Sequence, residues 1–370
     1  MKITFPHIGN TYLPIKAMFD DLGVETVLPP PNTKKTLEIG TKYAPELMCL
    51  PMKINLGNYI QSIEKGADTI VVTGSCGPCR YGYFAEVEKE ILKDLGYDGV
   101  EFVVLEAPEG NLQEFYHRVS KVANTRNMIK IGKSVKNAIQ VLRRLDRIEE
   151  NVLKSRPYEK NKGQIDLINN QLISRLERSS GSQEMIKHID VAQQSLQQVA
   201  LESNKEVLKV GIVGEIYTVI EDFANIHIGK KLNEMGVEVH KSHTTGDWIL
   251  EHLCYKSIGR SREKHIRKAA QPYVTTQVGG HGRETIGNTV LYAEDGYDGI
   301  IQVMPFTCMP EIVAMSILPH VQKDKNIPIL TLIIDEMTGE AGYLTRLEAY
   351  IDLLRNRREK DTNEKMLSWY

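Results

Sequence analysis

The sequence predicts an α/β protein with two doubly wound (Rossmann/flavodoxin-like) domains that have mainly parallel sheets and are joined by a helical segment. Short apolar runs alternate with amphipathic stretches towards both ends of the chain, as in βαβ units. A chain of 370 residues also exceeds what one hydrophobic core usually organises. We therefore expect an N-terminal α/β domain at 1–108, a helical linker or cap at 109–205 and a C-terminal α/β domain at 206–370.

The N-terminal part alternates predicted strands and helices. The strands are KITFPHIG, VETVLPP, DTIVVTGS and EFVVLEAP, which are rich in β-branched and aromatic residues. Helices are predicted over 13–22, 52–65 and 81–95, because apolar residues recur there at helical spacing. Together these elements predict one parallel sheet covered by helices.

The middle of the chain is polar and rich in Gln, Lys and Arg, with apolar positions at helical spacing. Strand-like runs then resume as VLKVGIVGEIY, VEVHKS, DGIIQVMPF and IPILTLIID. The helices predicted between and after them span 220–235, 248–270, 309–321 and 345–357. This alternation predicts the second α/β domain.

Charge and composition narrow the class of protein. Forty-six basic and forty-eight acidic residues leave a net charge of -2, which provides no global field for nucleic acid or anionic lipid. The basic stretch IGRSREKHIRKAA lacks interleaved aromatic residues and is interpreted as a solvent or partner surface. No leader and no apolar run of about 18 residues is visible, so we expect a cytoplasmic protein without a nucleic-acid or membrane partner.

Four cysteines lie where α/β proteins place ligands. Cys76 and Cys79 follow the strand DTIVVTGS, Cys308 follows DGIIQVMPF, and Cys49 precedes a helix that begins near Pro51. Ligands in open α/β sheets bind at the carboxyl ends of the strands. We therefore expect these four thiols to form one site held between the two domains.

Thiolate ligands suit an iron-sulfur cluster, zinc or a redox dithiol. Structural zinc normally uses two closely spaced ligand pairs, whereas these cysteines are scattered over two large domains, which favours an oxygen-sensitive iron-sulfur site. Zinc, a dithiol and simple buried cysteines stay open as alternatives. Cys254, in WILEHLCY, lies at apolar helical spacing and is interpreted as a core residue.

Six motifs occur in a fixed order: ELMCLPMK, GSCGPCRYGYF, VGIVGEIY, GGHGRETIG, MPFTCMPE and TGEAGYLTRLEAYIDLL. Together they resemble the acyl-CoA dehydratase activase-related family, a branch of the 2-hydroxyacyl-CoA dehydratase, benzoyl-CoA reductase and double-cubane-cluster protein superfamily. The resemblance covers roughly 1–108 and 206–357. It implies two α/β domains clamping an iron-sulfur cluster, and a partner that is an actin-like-fold ATPase activator with its own [4Fe-4S] cluster.

The cysteine count limits what the resemblance implies. A double-cubane [8Fe-9S] cluster would use six thiolates and the chain has five cysteines, so a [4Fe-4S] cluster is favoured. If Cys49, Cys76, Cys79 and Cys308 all bind, no iron stays open for substrate. No Walker-type or actin-like phosphate loop is visible, so ATP hydrolysis is expected from the partner.

We accordingly predict an anaerobic-type iron-sulfur redox protein that accepts low-potential electrons from an ATP-dependent activator and reduces a small substrate or partner. As an enzyme it would be an ATP-activator-dependent reductase or an acyl-CoA dehydratase-like component. The alternative is a non-catalytic cluster-binding or scaffold subunit associated with an acyl-CoA dehydratase system. A homodimer or heterodimer is expected.

Other residues have two interpretations each. Gly280, His281 and Gly282 form a glycine turn that binds a cofactor anion such as a CoA phosphate, or only a tight connection. Glu215 and Tyr217 line the cleft or begin the next helix. Lys53 and Arg80 favour the thiolates of the neighbouring cysteines, or are solvated charges. Glu340 and Arg346 are predicted to form an ion pair.

Overall fold

The computed structural model describes residues 1–74, 79–105, 112–250 and 262–367. They form two compact units, Met1–Ile148 with Asp166–Gln198, and Glu149–Ile165 with Val199–Tyr370. Each unit contains one parallel sheet and many helices, so the predicted α/β fold with two doubly wound domains is confirmed. The division at residues 108 and 205 stays a prediction.

The first unit is built on the strands β1 (Ile3–Thr4), β2 (Thr69–Thr73) and β3 (Glu101–Leu105), hydrogen-bonded in parallel in the order β1-β2-β3. Thr26 adds a single parallel bridge to Ile3 on the other side of β1. The predicted strand VETVLPP shrinks to this bridge because the prolines that follow have no N–H for a ladder. The segment that follows β1 in the chain thus pairs on one side of β1, and β2 pairs on the other side. The topological switch point therefore lies between β1 and β2.

The helices of this unit confirm the predicted ones at 13–22, 52–65 and 81–95 to within a few residues. An additional helix, α2, was not predicted and begins with a reciprocal capping box between Thr33 and Thr36. The boundary between the two compact units falls within α6. The helices are α1 (Tyr12–Leu22), α2 (Lys34–Tyr43), α3 (Leu50–Glu64), α4 (Phe84–Asp94), α5 (Leu112–Val122), α6 (Met128–Ser155), α7 (Gln164–Arg178) and α8 (Ser182–Gln197).

Helix α3 is buried along almost its whole length. Its side chains Leu56, Tyr59 and Ile60 form a core with β2 and α4. Its opposite side crosses α2 at backbone distance, because a Cβ on Gly57 would overlap the carbonyl oxygen of Thr36 and a Cβ on Gly40 would overlap that of Lys53. Glycine at both positions is therefore a packing requirement.

The second unit has four parallel strands in the order β5-β4-β6-β7, so its switch point lies between β4 and β6. The strands are β4 (Leu208–Gly214), β5 (Val237–Lys241), β6 (Gly299–Pro305) and β7 (Ile329–Ile334). The helices are α9 (Ile216–Ile220), α10 (Ile228–Glu234), α11 (Thr245–Leu250), α12 (Arg262–Ala270), α13 (Gly282–Glu294), α14 (Met309–Lys325) and α15 (Glu340–Leu367).

Two predicted helices of the second unit differ in the structure. The helix predicted over 220–235 is interrupted between α9 and α10, where Ile226 and His227 both have a φ of +57°. The Asn225 side chain holds this break, because its Nδ2 donates to Thr218 O at 2.9 Å and its Oδ1 accepts from Ile228 N at 3.1 Å. The helix predicted over 248–270 includes residues 251–261, which lie outside the described part together with Cys254.

Helix α15 holds the amino edge of the second sheet through polar contacts. The Tyr350 hydroxyl lies 2.9 Å from both Ile300 N and Ile300 O. Arg358 donates to Val207 O at 2.9 Å and to Asp298 Oδ2 at 3.1 Å. Arg355 and Arg357 donate to the carbonyls of Met235 and Asn326. The residues leading into several strands are thereby tied to one helix.

No helix of the described ranges combines the length and apolar character needed to cross a membrane.

The crossing of α2 and α3 predicts a matched pair of glycine variants. Gly57→Ala should lower the free energy of unfolding by about 1–3 kcal/mol or more, since the backbones must separate to admit a methyl group. Gly132→Ala, on α6, meets nothing within 4 Å and should raise it by about 0.5–1 kcal/mol. Chemical denaturation of both variants checks this, and equal stabilities would contradict the close crossing.

Candidate functional site

Cys49 and Cys79, two of the predicted cysteines of the first unit, lie on loops at the carboxyl edge of its sheet. Cys49 and Cys79 are half-buried, and each immediately precedes a helical turn, Cys49 at the start of α3 and Cys79 before the turn Arg80–Tyr83. Cys76, with the rest of 75–78, lies outside the described residues. The structure thus places two of the three predicted thiols of this unit.

Two cations hold the loop that carries Cys49. Lys53 is only 2% exposed, and its Nζ donates to Glu46 O at 2.9 Å. Arg80 Nη1 donates to Leu47 O at 2.8 Å, which ties the turn after Cys79 to the loop before Cys49. Lys53 is therefore an internal charge rather than a solvated one, and the two cysteine loops of this unit are joined by Arg80.

A buried acid that was not among the predicted site residues lies on α4. Glu88 is 1% exposed, and its Oε1 has no hydrogen-bond partner within the described ranges. Burial raises the pKa of this carboxyl well above its ordinary value. The signal was present in the sequence, because Glu88 lies at helical spacing between Ala85 and Leu92, on the apolar side of the helix.

In the second unit, Glu215 begins the helix that follows β4. Its carboxylate accepts hydrogen bonds from Tyr217 N and Thr218 N, both at 3.0 Å. Burial raises the pKa of Glu215, and these hydrogen bonds partly oppose the rise. Glu215 therefore caps the helix that it begins, which is one of its two predicted interpretations. The Tyr217 side chain is buried.

The glycine turn of the second unit contacts the helix that follows Cys308. A Cβ on Gly282 would overlap the carbonyl oxygen of Pro310, and one on Gly280 would lie 2.8 Å from Pro310 Cγ. His281 packs edge to face on His243, with 4.9 Å between ring centroids. Close packing is thus one reason for the glycines, and cofactor binding by Gly280, His281 and Gly282 stays a prediction.

Glu311 is the centre of a buried polar network in the second unit. It accepts from Thr285 Oγ1 at 2.9 Å and from Gln302 Nε2 at 2.9 Å, and Gln302 Oε1 in turn accepts from Thr331. Burial raises the pKa of Glu311 to about 7, and the charge of Glu215 adds to the rise. Glu311 belongs to the motif MPFTCMPE, and no role was predicted for it.

The predicted ion pair between Glu340 and Arg346 is wrong. Glu340 accepts instead from Lys231 Nζ at 2.7 Å, while Arg346 Nη2 donates to Thr331 O at 2.8 Å. Because β7 is an edge strand, its carbonyls need partners from outside the ladder, and Arg346 supplies one.

The fold and these loops define a protein of the parallel α/β class whose polar and cysteine residues gather at strand carboxyl edges. Residues 7–73 match the family described as CoA enzyme activase uncharacterised domain (DUF2229). The match confirms, over these residues, the predicted resemblance to the acyl-CoA dehydratase activase-related family, while the wider superfamily stays a prediction. No curated protein matches the chain.

These findings overturn the predicted function. The family description is that of a CoA enzyme activase and not of a reductase. Within the ranges described, no group of three or more His, Cys, Asp or Glu side chains is placed to hold a metal ion. The prediction of an iron-sulfur electron-transfer protein that reduces a substrate, and its cluster-binding alternative, are therefore wrong.

The predicted set of four cysteine ligands is not tested by these findings, because Cys76 lies outside the described residues. The assignment of Cys49, Cys76, Cys79 and Cys308 as metal ligands and the [4Fe-4S] cofactor stay predictions. The described cysteines alone do not form a ligand group that fits a cluster.

The buried carboxyl of Glu311 predicts a pH-dependent stability. Its folded pKa lies above its unfolded value, so its contribution is intact below about pH 4.5 and is lost as the pH rises towards 7. Glu311→Gln removes this loss. Between about pH 4.5 and 8, the stability of the variant relative to the unchanged protein should grow by about 3 kcal/mol.

Urea denaturation at several pH values measures this difference. Glu348→Gln, on the exposed side of α15, is the matched control and should leave the pH profile unchanged. A Glu311→Gln profile parallel to that of the unchanged protein would refute the assignment of a neutral carboxylic acid.

The buried lysine beside Cys49 predicts a change in thiol accessibility. Lys53→Met keeps the length of the side chain but removes the hydrogen bond to Glu46 O, so the loop should open more often. Alkylation of Cys49, followed by peptide mass spectrometry, should become faster by about threefold or more. Lys65→Met, at the exposed end of the same helix, should leave the rate unchanged.

Proposed function

We propose that this protein is a component of a CoA enzyme activase system and acts together with a CoA-dependent partner enzyme of the dehydratase kind. The observation that carries the proposal is the family match over residues 7–73. An activase family implies an enzyme to be activated, so a partner belongs to the proposal itself.

The matched segment is a suitable contact element. It includes α1, α2, α3 and the loop before Cys49, which Lys53 and Arg80 hold in place. Leu47, on this loop, is 68% exposed although its backbone carbonyl is fixed by Arg80. A large apolar side chain on a well-held loop is favourable for binding, because little conformational freedom is lost when a partner covers it.

In the proposed system, ATP hydrolysis and the contact with the CoA-dependent enzyme belong to different proteins. The sequence has no Walker-type or actin-like phosphate loop, so we assign ATP hydrolysis to a separate ATPase subunit. The present chain would then mediate between the ATPase and the CoA-dependent enzyme.

Reconstitution tests the proposal. A purified acyl-CoA dehydratase and its ATPase activator are incubated with ATP, with and without this chain, and the initial rate of dehydration is measured. We expect the rate to rise about tenfold or more when the chain is added. Unchanged rates, together with no binding to either protein, would refute the proposal.

A surface variant makes this test specific. Leu47→Asp places a charge where we expect an apolar contact and should reduce the activation about tenfold, which corresponds to about 1.4 kcal/mol of binding. Leu353→Asp, at a position of α15 that is 51% exposed, is the control and should activate like the unchanged chain.

A further inference from the structure

The long helix α6 presents a row of exposed side chains to the solvent within the first unit. The residues of the row follow one another at alternating intervals of four and three, so they lie on one line along the helix. At a rise of about 1.5 Å per residue, the row is about 27 Å long. We call it the basic stripe, and it consists of Ile129, Lys133, Lys136, Gln140, Arg143 and Arg147.

The opposite side of α6 is fixed to α1. Ser134 Oγ donates to Met18 O at 2.6 Å. One turn further on, Asn137 Nδ2 donates to Asp21 Oδ2 at 3.0 Å. The basic stripe is therefore a surface of defined shape, and little conformational freedom is lost when a partner covers it.

The charge of this surface has a single sign. Residues 126–147 contain seven basic residues and one acidic residue, whereas the whole chain has 46 and 48. Helix α4 of the same unit instead exposes residues of both signs, among them Glu86, Lys89 and Glu90. Mixed signs are the usual arrangement on a helix face that meets only water, because like charges one turn apart repel. The basic stripe lacks this compensation.

Two features of α6 lower the stability of the free chain. The side chains of Lys133, Lys136 and Arg147 make no hydrogen bond or ion pair with the residues that the structure describes, so the repulsion between the two lysines is not offset. Gly132 is exposed in the helix interior, where glycine is less stable than alanine, and a Cβ there would meet nothing within 4 Å. No packing in the described part explains this glycine, whereas an approaching backbone would require it.

An acidic helix is the occupant that fits these features. Intervals of four and three residues are those by which two helices pack side by side along their length. Carboxylates at the same spacing would pair with Lys133, Lys136 and Arg147. Gly132 would admit the partner backbone, and Ile129, which is 86% exposed, would supply an apolar contact at one end. The stripe contains no aromatic residue on which a nucleic-acid base could stack.

We propose that the basic stripe of α6 docks an acidic α-helix of a partner protein. The inference goes beyond the proposed function, because it requires neither a CoA-dependent enzyme nor an ATPase as the partner.

Fluorescence anisotropy with the full chain tests the docking. The probe is a labelled synthetic helix of about 24 residues, with leucine in its first heptad and glutamate at intervals of four and three thereafter. We expect it to bind more weakly as salt is added, and Lys133→Glu combined with Lys136→Glu to weaken binding about tenfold or more. Lys89→Glu combined with Lys93→Glu makes the same charge change on the exposed side of α4 and should leave binding unchanged.

Three outcomes would overturn the proposal. The first is no binding of the acidic helix at low salt, and the second is equal weakening by the two double variants. The third is tighter binding of a single-stranded RNA of about 20 nucleotides, or of anionic phospholipid vesicles, than of the acidic helix, because the partner would then belong to another class.

Gly132 separates docking from the stability of the fold. Gly132→Ala should stabilise the free chain, as described above, and yet weaken binding of the acidic helix, because the new methyl group lies where the partner backbone approaches. Gly132→Leu should weaken binding further, by about tenfold or more. A Gly132→Leu chain that binds the probe like the unchanged chain would overturn the proposal of a helix packed along the stripe. These measurements use neither the dehydratase nor the ATPase, so their failure leaves the reconstitution result intact.

Discussion

The close crossing of α2 and α3 is the constraint on which the first unit depends. Two glycines bring the helix backbones together, and this buries α3 between α2 and the sheet. The polar side chains of a helix buried on all sides need partners within the protein. Lys53 and Asn58 donate to the carbonyls of Glu46 and Pro30, in the loops at the carboxyl edge, although Asn58 Oδ1 has no partner among the described residues. The crossing thus helps to hold the loops that contain Glu46 and Pro30.

Each unit contains a buried acid, and the surroundings of the two acids differ. Glu88 lies in an apolar core, whereas Glu311 lies in a network of Thr285, Gln302 and Thr331. Burial raises the pKa of both carboxyls, but only Glu311 has hydrogen bonds that oppose the rise. Protonation at Glu311 is therefore linked to the packing of two strands and two helices at once.

The sequence was sufficient for the fold class because period-two and helical apolar patterns are local properties of β2, α3 or β6. It failed where single residues override the apolar pattern. The strand predicted at VETVLPP lost its ladder to prolines, and Asn225 broke a helix by bonding to Thr218. The candidate site shows the same limit: cysteine spacing indicated strand ends, but the internal position of Lys53 leaves no spacing signal.

The contacts of α15 have a consequence for biosynthesis. The first unit consists of residues up to Gln198, so its contacts are all available while the remainder of the chain is still being translated. The second unit cannot fix Ile300 or Val207 until Tyr350 and Arg358 have left the ribosome. About 150 residues separate Leu208 from Arg358, and their synthesis takes roughly ten to thirty seconds at about 5–20 residues per second, so the contacts of α15 with the second sheet form only after that interval.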